Sequence, residues 1–240
     1  GLARSLQLCG AFSAGIIFRA GIADETLPTR GMTHLVEHLA LQRLGDGRSH
    51  FNGAVGATTT TFYASGREDD VLTFLEQAVA SVGRLNTTKL GSEVKIVLIE
   101  NDGRSDDVVG RLLRLAFGYQ DYGLTGTHDQ GLFTLEAPQL HARAASAFTR
   151  RNAVVWIVGE PPPQLDLQIP TGSWIAPPAI GPDRPAHGRR VLFGGSGGVA
   201  IGMLMERSHA STLGLTIAAE RAHRLLREQR GLSYGVQTDW

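Results

Sequence analysis

Apolar positions along the chain change period several times, and each change marks a predicted element. Residues 14–18 are small or β-branched and end near Gly21, which predicts a strand and then a turn through Ala23, Asp24 and Glu25. Pro28 and Gly31 close a loop. A helix is expected from Thr33, a good N-cap, to Leu44, ahead of Gly45, Asp46 and Gly47. On it Leu35 and Leu39 share one face while His34, Glu37, His38 and Leu41 share another. Residues 57–64 read ATTTTFYA between glycines, a strand signal. Val71, Phe74, Leu75, Ala78, Val79 and Val82 recur at helical spacing within 70–85. Further helices are expected over 90–99 and 108–117, and the apolar run from Ala153 to Val158 reads as a buried strand.

Beyond Gly159 the pattern breaks. Eight of the chain's ten prolines fall between Gly159 and Gly188, a density that forbids regular helix and predicts a linker over 161–188. Strands at 191–193 and 199–205, a helix over 211–229 and a strand at 234–238 follow. The order predicts an α+β fold with a mixed, mainly antiparallel sheet packed against helices. One complete domain is expected over 1–160, and residues 189–240 are expected to begin a second, homologous domain that is incomplete.

Composition changes this picture only at its margins. With 42% hydrophobic residues the chain can bury a core, and 23 basic against 23 acidic residues leave no basic footprint for nucleic acid. Cys9 is the single cysteine, so neither an internal disulfide nor a Cys-x-x-Cys metal site is available, and a buried structural thiol is expected. No apolar run approaches a membrane span, and the first ten residues lack a charged region followed by an apolar one. The expected compartment is cytoplasmic, with no membrane partner.

The chemistry sits in His34-x-x-Glu37-His38. Residues four apart on a helix lie one above the other, so two imidazoles can reach one ion while Glu37 projects beside them as a general base. Imidazole suits zinc, and a catalytic zinc takes three protein ligands and keeps an open position. A surface helix that happens to carry two histidines and a glutamate would read the same. Glu100 closes the apolar run Ile96-Val97-Leu98-Ile99, and a carboxylate there needs a partner, which a metal would supply. Glu93 lies two turns earlier, about 10 Å along the axis, too far to share the ion; it suits either orienting a ligand or simple solvation.

These residues resemble the insulinase/pitrilysin family of inverted-motif zinc metallopeptidases, which includes the mitochondrial processing peptidases and bacterial relatives. The resemblance rests on Arg30-Gly31-Met32-Thr33-His34-Leu35-Val36-Glu37-His38, on Glu93 followed by Val97-Leu98-Ile99-Glu100, and on Arg227-Glu228-Gln229-Arg230-Gly231-Leu232-Ser233-Tyr234. It implies a zinc endopeptidase with His34, His38 and Glu100 as ligands, Glu37 as catalytic base and Glu93 supporting the ligands. It further implies that Gly56, Ala57 and Thr58 belong to an edge strand pairing with an extended peptide, laid along residues 58–62. Glycine at 56 stands where the family has asparagine. Arg227 and Tyr234 would hold the substrate backbone, Tyr234 also steadying the oxyanion. The interval of 62 residues from His38 to Glu100 is short for the family. A homologous chain in a homo- or hetero-oligomer would complete the substrate chamber. The rival implication is a non-catalytic peptide-binding or scaffolding subunit of a two-chain complex.

Overall fold

The structure, a computed structural model, describes residues 12–42, 44, 50–102, 108–163, 165–180, 198–203, 205–206 and 208–237. Its elements are, in order, β1 (Phe12–Phe18), α1 (Met32–Leu41), β2 (His50–Val55), β3 (Thr60–Gly66), α2 (Glu68–Gly83), α3 (Leu90–Asp102), α4 (Val108–Phe117), α5 (Ala137–Ala147), β4 (Ala153–Val158) and α6 (His209–His223). Contacts divide the chain into two units, Gly1–Ala200 and Ile201–Trp240. Among the described residues no helix is long and apolar enough to cross a membrane.

In the first unit the strands form one antiparallel sheet in the order β2-β3-β1-β4. Alternation sends Ala14, Ile16, Phe18, Phe62 and Ala64 to one face, where all are buried. There Phe18 packs against Phe62 and Phe148 at ring distances of 6.2 and 5.2 Å, under Leu35 of α1, Leu75 of α2 and Leu140 of α5. All six apolar positions expected of the second helix are buried on α2. The opposite face carries Ile17, Tyr63 and Trp156, with Val154 and Val158 exposed. The α+β class and the antiparallel sheet agree with the sequence.

Several boundaries differ, each for a non-local reason. β3 starts at Thr60 because the Gly56 N–H bonds the Thr59 carbonyl across a tight turn. β2 was not expected, since Asn52 and Gly53 interrupt its strand pattern; pairing with β3 supplies what propensity does not. The run at β4 is an edge strand rather than a buried one, because only β1 pairs with it among the described residues. The stretch 165–180 has neither helix nor strand, yet it is fastened to the first unit. Arg150 N–H bonds the Pro170 carbonyl, the Asn152 side chain bonds both Ser173 and Ile175, Arg19 donates to the Ile175 and Ala176 carbonyls, and Tyr122 donates to Pro178.

In the second unit α6 is capped by Ser208, whose hydroxyl accepts from Ser211 N–H, and widens into a π-helical stretch at Arg224–Gln229. This agrees with the helix expected over 211–229. The strands expected at 199–205 and 234–238 do not form among the described residues, and 191–193 lies outside them.

Candidate metal centre

The site is built on α1, and α1 is started by a carboxylate from outside it. Gly31 takes a left-handed φ of 97°, which turns the chain into the helix. Glu25 then reaches over the helix end: Oε2 accepts from Gly31 N–H at 2.9 Å and Oε1 from Thr33 N–H at 2.6 Å. Thr33 therefore lies inside the helix and is not its cap. Burial pushes the Glu25 carboxyl above its usual range, although Arg30, 3.5 Å away, and the two backbone donors pull it back.

One turn along, the His34 and His38 rings meet edge to face with centroids 4.8 Å apart. Glu100, on α3, brings Oε2 to 3.5 Å from His34 Nε2 and 3.4 Å from His38 Nε2. One atom from each of the three lies within 4.8 Å of the others. Two imidazole nitrogens and a carboxylate oxygen are the donor set of a catalytic zinc. The far side of each ring agrees. His34 Nδ1 lies 2.9 Å from Asp129 Oδ2, and His38 Nδ1 lies 3.5 Å from Glu93 Oε2. A carboxylate beside Nδ1 holds the proton there and leaves the Nε2 lone pair for a metal. The residues present fit zinc.

Glu93 is itself held, with Oε1 accepting from the Gln42 amide at 2.8 Å. Asp129 was not foreseen from the sequence. It sits in a polar loop between Thr127 and Gln130, and nothing local distinguishes it from a solvated aspartate. In the fold it is buried, paired with the Arg30 guanidinium and accepting from Asn101 Nδ2 at 3.0 Å. Burial alone would raise its carboxyl, but the hydrogen bonds from His34 and Asn101 and the charge on Arg30 outweigh it and hold the group below its usual value.

Glu37 is buried at 5% exposure, with Oε2 3.8 Å from His38 Nε2. Burial pushes its carboxyl up to about 7; His38 opposes the rise and Glu100 adds to it. Glu37, the three candidate ligands and Glu93 line a cleft of about 500 Å³ with apolar walls from Ile22, Leu41, Val55 and Ile96.

The same cleft is bordered by β2, from Asn52 to Val55. Among the described residues β2 pairs on one side only, while β3 lies between β2 and β1. Residues 60–62, where the peptide was expected to add, belong to β3, which has a neighbour on both sides; among the described residues the sheet edge that borders the cleft is β2. Gly56, Ala57 and Thr58 lie in the turn between β2 and β3 and are held by their carbonyls. Their carbonyls accept from Ile22 N–H, Ala23 N–H and the Arg19 guanidinium. Arg227 and Tyr234 belong to the second unit, where Arg227 donates to the Tyr234 carbonyl and Tyr234 is exposed.

No family model matches the chain, and no curated protein matches it in sequence. Solved structures do match in shape. A protease from Helicobacter pylori superposes with a TM-score of 0.58 at 18% identity, covering 71% of this chain and 48% of that one. A peptidase M16 inactive domain from Pseudomonas fluorescens gives 0.51 at 16% identity, covering 62% and 41%. A putative M16-like peptidase from Alicyclobacillus acidocaldarius gives 0.51 at 17% identity, covering 61% and 40%. The chain spans less than half the length of each of these structures. What they share with it is architecture: this chain has the α+β fold of an M16, insulinase-type, peptidase domain.

Proposed function

We propose that the protein is a zinc-dependent endopeptidase acting on extended peptides. One observation carries the reading: two imidazoles and a carboxylate converge on a point beside a buried glutamate, at the border of an unpaired strand edge. His34, His38 and Glu100 would hold the ion, and Asp129 and Glu93 would fix the two rings. Zinc supplies Lewis acidity when bound, polarising a carbonyl and bringing the pKa of a water to about 7. Glu37 takes the proton from the attacking water and hands it to the leaving nitrogen. The peptide lies as an added strand on β2, whose outward N–H and C=O groups hold it without regard to its side chains. Arg227 and Tyr234 are assigned the substrate backbone and the oxyanion. A homologous chain completing the chamber is part of the proposal.

The test is Glu37→Gln. The variant is expected to bind one zinc per chain, as the wild type does, and to lose at least about 100-fold in turnover of a quenched peptide library. Undiminished turnover by a zinc-loaded variant sinks the reading. A second reading, a non-catalytic peptide-binding or scaffolding subunit, draws on one structural relative being an inactive domain. It predicts wild-type protein that binds peptide but cleaves none with zinc bound.

A further inference from the structure

Gly53 of β2 faces the Glu37 carboxylate with nothing between them. A Cβ built on Gly53 would lie 2.7 Å from Glu37 Cδ and 2.9 Å from Cγ, and closer still to Oε1. These separations are below any that real side chains keep. Glu37 is 5% exposed, so a retreat from such a Cβ would carry its carboxylate farther into the cleft it lines and away from its present seat.

The same residue faces the open edge. Gly56 and Thr59 are a hydrogen-bonded pair of the β2–β3 hairpin. Such pairs alternate along an antiparallel ladder, so Ala54 and Asn52 also turn their peptide groups toward β3, and Phe51, Gly53 and Val55 turn theirs outward. The Gly53 N–H accordingly bonds no partner on β3. Its acceptor is the Asn52 side-chain oxygen, 2.9 Å away.

We propose that Gly53 is a positioning residue that sets the base against the substrate: its missing side chain seats Glu37 between the β2 edge and the His34–His38–Glu100 cluster. Its outward peptide groups fix the register of a peptide paired on that edge. A peptide taking this register replaces the Asn52 amide at Gly53 N–H and so presents one particular bond to Glu37. The inference rests on the peptidase reading for its chemical meaning, but the contact itself does not.

The experiment uses the full chain with Gly53→Ala, Glu37→Ala and both together. In metal-free protein, Gly53→Ala alone is expected to lower Tm by about 3–10 °C, the scale of forcing a methyl into filled space. On Glu37→Ala the same change is expected to cost little, and the cycle cancels the effect of alanine on the unfolded chain. Equal losses in both backgrounds overturn the contact. Should Gly53→Ala alone fail to fold, the double variant is expected to fold, and failure of both overturns the proposal. In zinc-loaded protein that folds, kcat is expected to fall about 10–100-fold for a misplacement of the base of about 1 Å, with KM and zinc stoichiometry unchanged. A rise in KM at constant kcat overturns the positioning role. If the wild type cleaves nothing, the peptidase reading falls, and the Tm cycle still decides the contact.

Discussion

Asp129 shows how much of the candidate metal site is settled away from the proposed ligands. Its Oδ2 is shared by His34 Nδ1 and Asn101 Nδ2, while the guanidinium of Arg30 lies against the other oxygen. A buried carboxylate with these partners keeps the His34 ring in one tautomer and one orientation. Asp129→Asn keeps the shape and removes the charge. It is expected to weaken zinc binding about 10–100-fold, the usual cost of losing such a partner, measured by competition with a chromophoric chelator. Peptide turnover should recover when zinc is raised. Unchanged zinc affinity would show that the His34 orientation is set by packing alone. Glu93 stands farther from its histidine, at 3.5 Å, and its removal is expected to cost less.

At the scale of elements, α1 decides whether the motif becomes a site. Its first turn depends on Glu25, which supplies acceptors to two backbone N–H groups and a charge beside Arg30. Glu25→Ala leaves those donors buried without acceptors, and a loss of about 2–4 kcal/mol is expected in urea denaturation. A loss below about 0.5 kcal/mol would mean that Gly31 and packing alone start the helix. The sequence displays the helical faces plainly: the period around His34 and Glu37, the six buried positions of α2, and the carboxylate ending an apolar run on α3. It conceals whatever depends on a distant partner. The Glu25 cap spans six residues of loop, where a local cap at Thr33 looked sufficient. β2 breaks its own strand pattern at Asn52 and Gly53, and only β3 makes it a strand. The apolar run of β4 is indistinguishable from a central strand until the sheet order is known, and Asp129 looks like any loop aspartate. The strands expected at 199–205 and 234–238 do not form among the described residues for the converse reason, since strand propensity with no neighbouring strand among those residues leaves the peptide groups unpaired.

At the scale of the whole molecule, the proposed base and ion site predict a stability that depends jointly on pH and zinc. In the metal-free fold the Glu37 carboxyl is raised from 4.5 to about 7. The folded state therefore holds this proton more tightly than the unfolded chain does. That contribution is fully present below about pH 4.5 and is lost as pH rises through about 7, reaching at most about 3 kcal/mol. Glu25 is shifted in the same direction; Asp129 is shifted downward, so its contribution is present above its ordinary value and is lost as pH falls. Glu37→Gln isolates the first effect, because the amide resembles the protonated acid at every pH. Metal-free wild type and variant are expected to melt together at pH 4.5 and to diverge upward in pH, the variant being the more stable at pH 8. A difference that does not vary with pH would mean that Glu37 is solvated in the metal-free protein. Added zinc should act in the opposite sense on the wild type, raising Tm with concentration above its Kd, because the ion binds the folded site and little else. That rise should be steepest at high pH, where the ionised base favours a bound cation, and it should disappear in His38→Ala.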